Sequence, residues 1–293
     1  MMLDLIRKET SDKWGMKRLQ NCILNIAFYI DEFCQKNSIG YCLMGGSALG
    51  AIRHGGFIPW DDDLDIFMTP DDYEKFRDCF NKEGDKAHYY LQEIGAAGGL
   101  VTRAKLRLNR STFIEEVTKD WDIHHGVFID IFILHAYPDG RLSRSWMYLW
   151  AKYLVIKGLA NKSYYKKGPL LNTIVWCFKL LPKRFLLGYG LKQVYRYRHK
   201  NTKYKCEFFG RTYLNNGIYP SADFKSYKKR AFETVELNVP VGIEDYLKIR
   251  YGDYLKLPSI DEITRQSHAI KFDLDRAFTP RKQGVFADEK YLF

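Results

Sequence analysis

Residues 60–68 read Trp-Asp-Asp-Asp-Leu-Asp-Ile-Phe-Met, which places four carboxylates in five positions at the mouth of an apolar run. Alternate residues of a strand share a face. If the strand begins early, Asp61, Asp63 and Asp65 point one way, and Asp62 and Leu64 point the other. Two carboxylates about 4 Å apart repel by roughly 4 kcal/mol at an effective dielectric near 20. A chain keeps such a cluster only with a cation, with raised pKa values, or with solvent screening. A divalent hard cation, Mg²⁺ or Mn²⁺, is the simplest compensation, because both take oxygen ligands. An EF-hand calcium loop is a poor match, since the sixth-position glycine and twelfth-position glutamate it uses are missing. The competing reading is an acidic, solvated loop leading into a strand, and the run of acids alone does not choose between the two.

Two neighbours shift the balance. Tyr41-Cys-Leu-Met44 is a short apolar run stopped by Gly45-Gly46, and Ser47–Arg53 then reads as a short helix capped near Ser47. Glycines at a strand-to-helix turn let backbone N–H groups approach a phosphate, and a helix start favours anionic oxygen. A lone Gly-Gly-Ser is more often just a turn. The second neighbour is Asp130, an acid inside the apolar run Val127-Phe-Ile-Asp-Ile-Phe-Ile-Leu134. A buried carboxylate without partners is costly, so Asp130 must find a cation or donors. Gly-Gly-Ser, then Asp-x-Asp on a strand, then a third Asp on a later strand is the layout of the nucleotidyltransferase fold, and the combination is far more specific than its parts.

These residues also carry a family resemblance. Met44-Gly-Gly-Ser-Ala-Leu-Gly-Ala-Ile-Arg53, Gly56-Phe-Ile-Pro-Trp-Asp-Asp-Asp-Leu-Asp-Ile66 and Gly126-Val-Phe-Ile-Asp-Ile-Phe132 resemble the signature blocks of the LicD family. Lys105-Leu-Arg107 with Thr112-Phe113, and Tyr251-Gly-Asp-Tyr-Leu-Lys-Leu-Pro258, are similar to it as well. One departure is visible: the third block usually continues into Pro-Leu-Asp, whereas here it reads Ile133-Leu134-His135, which bears on acceptor contacts more than on metal binding.

The resemblance implies an α+β fold: a polymerase-β-like nucleotidyltransferase core, a mixed sheet flanked by helices, with a basic helical insert. It implies Asp61, Asp63, Asp65 and Asp130 as the metal set, with Asp63, Asp65 and Asp130 catalytic. Gly45, Gly46 and Ser47 would hold phosphate, and Arg53, Lys105 and Arg107 are cationic candidates for the leaving CMP; a surface salt bridge competes with that role at each of the three. The implied reaction moves a phospho-alcohol (phosphocholine, or ribitol or glycerol phosphate) from a CDP-linked donor to a hydroxyl of a cell-surface glycan or its lipid-linked precursor. CMP is released. The rival enzyme of this fold moves a nucleotide from an NTP to a sugar phosphate or RNA and releases pyrophosphate, and a degenerate nucleotide-binding member would turn nothing over.

The rest of the chain supplies scaffold and one unusual segment. Apolar periodicity predicts a helix over Asp12–Lys36. Thr69-Pro70-Asp71-Asp72 opens another, with a cap, a first-position proline and acids in the first turn, running to about Asn81. Strands are expected at Tyr89–Glu93, Arg103–Leu108, Thr112–Val117 and Val127–Leu134, with Lys105 and Arg107 forming a polar face opposite a buried one. A helix is expected near Ile243–Arg250. His54, His124 and His125 border the motifs, where a hydrogen-bonded structural role is commoner than a catalytic one, and Trp60 is expected to pack.

The net charge of +11 resides in one stretch: Gly140–Cys206 has no Asp or Glu and 16 Lys and Arg. The chain therefore divides into a catalytic core (1–139), a basic, aromatic helical insert (140–206) and a C-terminal part (207–293) that completes the core. Basic residues interleaved with Trp146, Trp150 and Trp176 suit the surface of an anionic membrane. A helical subdomain with core aromatics is the plainer reading of that segment, and RNA binding a weaker one. Scattered cysteines without a CxxC pair, a charged Met1–Thr10, and the absence of a spanning apolar run predict a cytoplasmic protein, peripheral at the inner face if the insert binds lipid.

Overall fold

The computed structural model describes residues 12–95, 102–116, 118–119, 121, 123–161, 173, 183–207, 217–259 and 269–277. The first helix, α1 (Lys17–Lys36), buries Leu19, Cys22, Ile23, Ile26, Ile30 and Phe33, the apolar stripe its periodicity announced. It begins five residues later than that periodicity suggests. Gly15 sits at φ +67°, off the helix, and the Asp12 carboxylate accepts from the Met16 and Lys17 amides at 2.8 and 3.2 Å.

There follow β1 (Cys42–Leu43), α2 (Gly45–Arg53), β2 (Asp65–Met68), α3 (Pro70–Glu83), β3 (Tyr89–Gln92), β4 (Arg103–Leu108), β5 (Thr112–Glu115), β6 (Phe128–Ile133) and β7 (His135–Tyr137). At the start of α3 the Thr69 hydroxyl accepts from the Asp72 amide, with Pro70 at the first position, as its sequence signature requires. The α2 expectation needs correction. The helix starts at Gly45, not at Ser47, and its cap residue is Met44, so both glycines lie in its first turn.

The central sheet has the order β1-β2-β6-β4-β3. Only β2 and β6 run parallel; the other three pairings are antiparallel, giving a mixed sheet. All six residues of β6 are buried, as a strand covered on both faces must be. The polar face expected on β4 is not a solvent face: Lys105 and Arg107 are 3% and 0% exposed. Beyond the sheet, β10 (Tyr227–Phe232) and β11 (Val235–Pro240) form a hairpin, and β12 (Ala269–Asp273) pairs with β5. The helix α6 (Ile243–Tyr251) lies against α2, and β11 against β1, so the C-terminal part adjoins the first turn of α2.

The basic insert contributes α4 (Arg141–Asn161) and α5 (Lys183–Val194), which pack on each other. A three-stranded sheet, β7 with β8 (Tyr204–Cys206) and β9 (Ile218–Pro220), adjoins them. Met147, Ala151 and Leu154 of α4 form a small apolar cluster with Tyr137, Val194 and Cys206, separate from the main core. Trp176 and Cys177 lie outside the described residues. Among the described residues, no helix is long and apolar enough to cross a membrane, and Cys22, Cys34, Cys42, Cys79 and Cys206 are free thiols.

Candidate active site

The parallel register of β2 and β6 sets Asp65 directly opposite Asp130. Three backbone groups fix that junction. The Asp130 amide donates to the Leu64 carbonyl at 3.1 Å, the Met44 amide donates to the Asp65 carbonyl at 3.0 Å, and the Asp65 amide donates to Ser47 Oγ at 2.8 Å. Ser47 is thereby a clasp between α2 and β2, and it is buried.

The acids 61–63 reach the same place by another route. They precede β2 in a loop, so strand parity does not govern them, and Asp62 is not turned away as parity predicted. The loop is pressed onto α2 because Gly50 has no side chain: a Cβ there would stand 2.4 Å from the Gly56 carbonyl oxygen. Glu233 accepts from the Phe57 amide at 3.0 Å, and the buried Gln20 side chain of α1 donates to the Ile58 and Asp61 carbonyls at 3.1 and 2.9 Å. Gly46 leaves room for the first acid, since a Cβ at that position would lie 2.9 Å from Asp61 Oδ2. Held this way, Asp61, Asp62 and Asp63 bring carboxylate oxygens within 4.8 Å of one another.

The electrostatics are those of crowded, half-buried acids with Asp62 and Asp130 fully enclosed. Burial pushes the Asp61 carboxyl well above the usual range, and Asp63 and Asp62 add to the shift. Burial likewise raises Asp65, with Asp63 and Asp130 adding and Arg103 opposing. Asp65 Oδ1 is buried without a hydrogen-bond partner. An all-oxygen donor set with an orphaned buried oxygen and mutually raised carboxyls fits a hard divalent cation.

Asp130 has cations of its own. Arg103 Nε lies 3.0 Å from Oδ2 and Lys105 Nζ 2.9 Å from Oδ1, although neither Asp130 Oδ1 nor Arg103 Nε meets hydrogen-bond geometry. Lys105 also pairs with Glu115 at 3.1 Å and sits 3.2 Å from the centroid of the Phe128 ring. Arg107 donates to Gln92 Oε1 at 2.7 Å and to the Gly126 carbonyl at 2.9 Å, with Glu115 at 3.7 Å. Lys105 and Arg107 are thus interior members of an ion network beneath the acids, where they have almost no surface to offer a nucleotide. Arg53, at the end of α2, donates to the Tyr254 and Lys256 carbonyls at 3.2 and 3.3 Å, on the Asp61 side.

Comparison with known proteins bears on this arrangement. Residues 38–155, which contain every carboxylate of the cluster, match the family model described as LicD/FKTN/FKRP, nucleotidyltransferase domain. The lipopolysaccharide cholinephosphotransferase LicD of Haemophilus influenzae is 30% identical over 254 residues, 84% of this chain and 93% of that protein. The chain belongs to the LicD family. A shorter likeness, 31% identity over 84 residues, links it to the ribitol 5-phosphate transferase FKRP of Homo sapiens, covering 29% of this chain and 16% of that protein. Both relatives are named as transferases of a phospho-alcohol.

Several residues of this LicD-family site escaped the sequence reading. Asp62 is 2% exposed and belongs to the acid cluster. Glu115 and Arg103 complete the buried network, and only pairing across distant strands could have revealed them. Tyr246 of α6 accepts the Gly45 amide at 2.8 Å, so that amide is already committed. Tyr251 lies close enough to Asp65 and Asp61 for both acids to raise its hydroxyl, a smaller effect than that of burial. The helix α6 lies where a helix near Ile243–Arg250 is expected, and the block beginning at Tyr251 follows it. Of the histidines, His125 is buried with Nε2 2.9 Å from the Trp121 carbonyl, and His124 stacks on Tyr90. Trp60 packs edge-on against Trp14.

Proposed function

We propose that this protein transfers a phospho-alcohol, with phosphocholine the first candidate, from a CDP-linked donor to a glycan or lipid-linked glycan hydroxyl, releasing CMP. The observation that carries the reading is the convergence of Asp65 and Asp130 on adjacent parallel strands, with Asp61–Asp63 clustered just ahead of β2. We read the mixed sheet as a nucleotidyltransferase core. Asp61, Asp63 and Asp65, joined by Asp62, are the carboxylates suited to hold Mg²⁺ or Mn²⁺, with Asp130 completing the set. A divalent ion held there would supply charge neutralisation for the diphosphate and make the phosphorus under attack more electrophilic.

The acceptor hydroxyl attacks the distal phosphorus of the donor, the bond from that phosphorus to the CMP oxygen breaks, and Asp130 takes the hydroxyl proton. With the Gly45 amide given to Tyr246, phosphate contacts at α2 fall to the Gly46 and Ser47 amides and to the Ser47 O–H, which stays available as a donor while its oxygen accepts from Asp65. Arg53 is the sequence-predicted cation left on the Asp61 side. Lys105 orients Asp130, and Arg107 ties Gln92, the Gly126 carbonyl and Glu115 together, instead of binding CMP. Lipid-linked acceptors would suit a protein held at an anionic membrane by its basic insert. Leu142, Trp146 and Leu149 of α4 are 88%, 45% and 64% exposed at helical spacing in a stretch without acids, which supports that position.

The test is a screen of CDP-choline, CDP-ribitol and CDP-glycerol for metal-dependent CMP release with candidate glycans. Asp63→Ala or Asp65→Ala in a folded variant should lower the rate at least a hundredfold. Unchanged CMP release in either variant sinks the metal reading, and pyrophosphate release from an NTP would favour the nucleotide-transfer rival.

A further inference from the structure

The cations that the motifs nominate are largely committed elsewhere, yet a diphosphate gripped by a carboxylate-bound metal needs a donor on its other side. We propose that Arg250 of α6 supplies it, and that Gly45 keeps open the gap in which the anion sits; this rests on the phosphotransferase reading above.

Arg250 is held on several sides. Its Nη1 donates to Glu207 at 2.8 Å and to the Tyr219 hydroxyl at 3.1 Å, and its Nε lies 3.4 Å from the Tyr251 hydroxyl. Glu207 is itself buried, so the guanidinium is anchored at one edge by a fixed charge pair. The other edge faces the start of α2. A Cβ placed on Gly45 would stand 3.7 Å from Arg250 Nη2, 3.7 Å from Asp65 Oδ2 and 3.8 Å from the Tyr251 hydroxyl. One small space is therefore bordered by a guanidinium, a carboxylate of the metal cluster and a phenol, and the glycine leaves it empty of side chain.

Gly45 adopts φ +54°, a conformation that favours glycine, and its amide is tied to Tyr246 one helical turn before Arg250. The same helix thus secures the turn and presents the cation. Arg250 pairs with Glu207 and not with Asp65, so it can face an anion lying between itself and the cluster. A planar guanidinium held through Nη1 and Nε offers the two N–H groups of Nη2 to phosphate oxygen in a fixed direction. Asp65 alone would repel a phosphate; a metal on the acids and Arg250 across the gap make a two-sided clamp for a nucleoside diphosphate.

The experiment titrates full-length protein with Mn²⁺, and then with CDP, CMP or inorganic pyrophosphate in the presence of Mn²⁺. Arg250→Gln should leave Mn²⁺ affinity within about twofold of the parent while weakening CDP and pyrophosphate binding ten- to a hundredfold and CMP binding less. Arg250→Lys, which keeps the charge but loses the fork, should recover part of that loss. In turnover, Arg250→Gln should raise KM for the CDP-alcohol more than Asp63→Ala does. Parental CDP affinity in a folded Arg250→Gln protein that still binds Mn²⁺ overturns the assignment and leaves the metal reading intact. If the parent binds neither Mn²⁺ nor CDP, the underlying reading fails and this one with it. Should Arg250→Gln not fold, Arg250→Lys decides: a five- to twentyfold loss of CDP affinity is expected, and none refutes the clamp.

Discussion

Asp65→Asn should stabilise the metal-free protein and remove most of its response to metal. Asp65 stands opposite Asp130 across a parallel register and beside Asp63, and its Oδ1 is buried without a hydrogen-bond partner. Two carboxylates about 5 Å apart repel by roughly 3 kcal/mol at an effective dielectric near 20. Arg103 offsets part of that, leaving a net relief of about 2 kcal/mol when the charge is removed. For a chain of this size that is a rise in Tm of roughly 4–8 °C in EDTA. Metal reverses the order. At a hundred times its Kd a ligand that binds only the folded state adds about 2.7 kcal/mol, which the parent should gain and the variant should largely forgo. Thermal unfolding of both proteins in EDTA and in saturating Mn²⁺ provides the four values. The reasoning fails if Asp65→Asn melts below the parent in EDTA, or if Mn²⁺ raises both melting temperatures equally.

Two further outcomes follow from the network beneath the acids and from the basic insert. Burial pushes the Glu115 carboxyl up, but Lys105, Arg107 and Arg103 outweigh it and hold it at about 2, against an ordinary 4.5. The unfolded chain therefore binds more protons in this window. Glu115 stabilises the fold fully above about pH 4.5, and that contribution fades as pH falls toward 2. Glu115→Gln should lower stability at pH 7 by on the order of 3 kcal/mol and flatten its dependence between those pH values; urea midpoints at pH 7, 4 and 3 that shift in parallel with the parent would contradict it. On α4, the parent should pellet with anionic vesicles at low salt and not with neutral ones, and Leu142→Glu with Leu149→Glu should reduce pelleting at least fivefold. A parent that stays in the supernatant at low salt removes the membrane contact.

What the linear sequence could disclose here is what depends on neighbours a few positions apart. The β4 boundaries, the Thr69-Pro70 start of α3 and the apolar stripe of α1 are local patterns, and each appears in the fold. The failures have a common physical origin in partners that are distant along the chain. Strand parity does not reach back to Asp61, because β1 is only two residues long and β6 pairs with β2 only from Asp65 on, so residues 61–63 have no ladder to join. Freed of parity, Asp62 turns into the cluster instead of away from it. Alternation on β4 marks Lys105 and Arg107 as polar, but on this strand polar does not mean wet. Their partner Glu115 arrives from another strand, and a charge with such a partner can be buried.

The same distinction separates the acids that could be named from the groups that make them tolerable. Asp63, Asp65 and Asp130 announce themselves by their unlikeness to their surroundings. Gln20, Gly50, Glu233, Tyr246 and Arg250 do not, because each is ordinary in its own segment and acquires its part only against a residue of another. A dense acidic site is costly to fold, and here its supports come from α1, from the β10–β11 turn and from α6. Replacing an acid should chiefly remove chemistry, whereas replacing Gln20 or Glu233 should shift the loop that delivers Asp61–Asp63 and weaken metal affinity without touching a ligand. If Gln20→Ala left Mn²⁺ affinity at the parental value, the loop would be positioned by the glycine contacts and Glu233, and α1 would have no share in building the site.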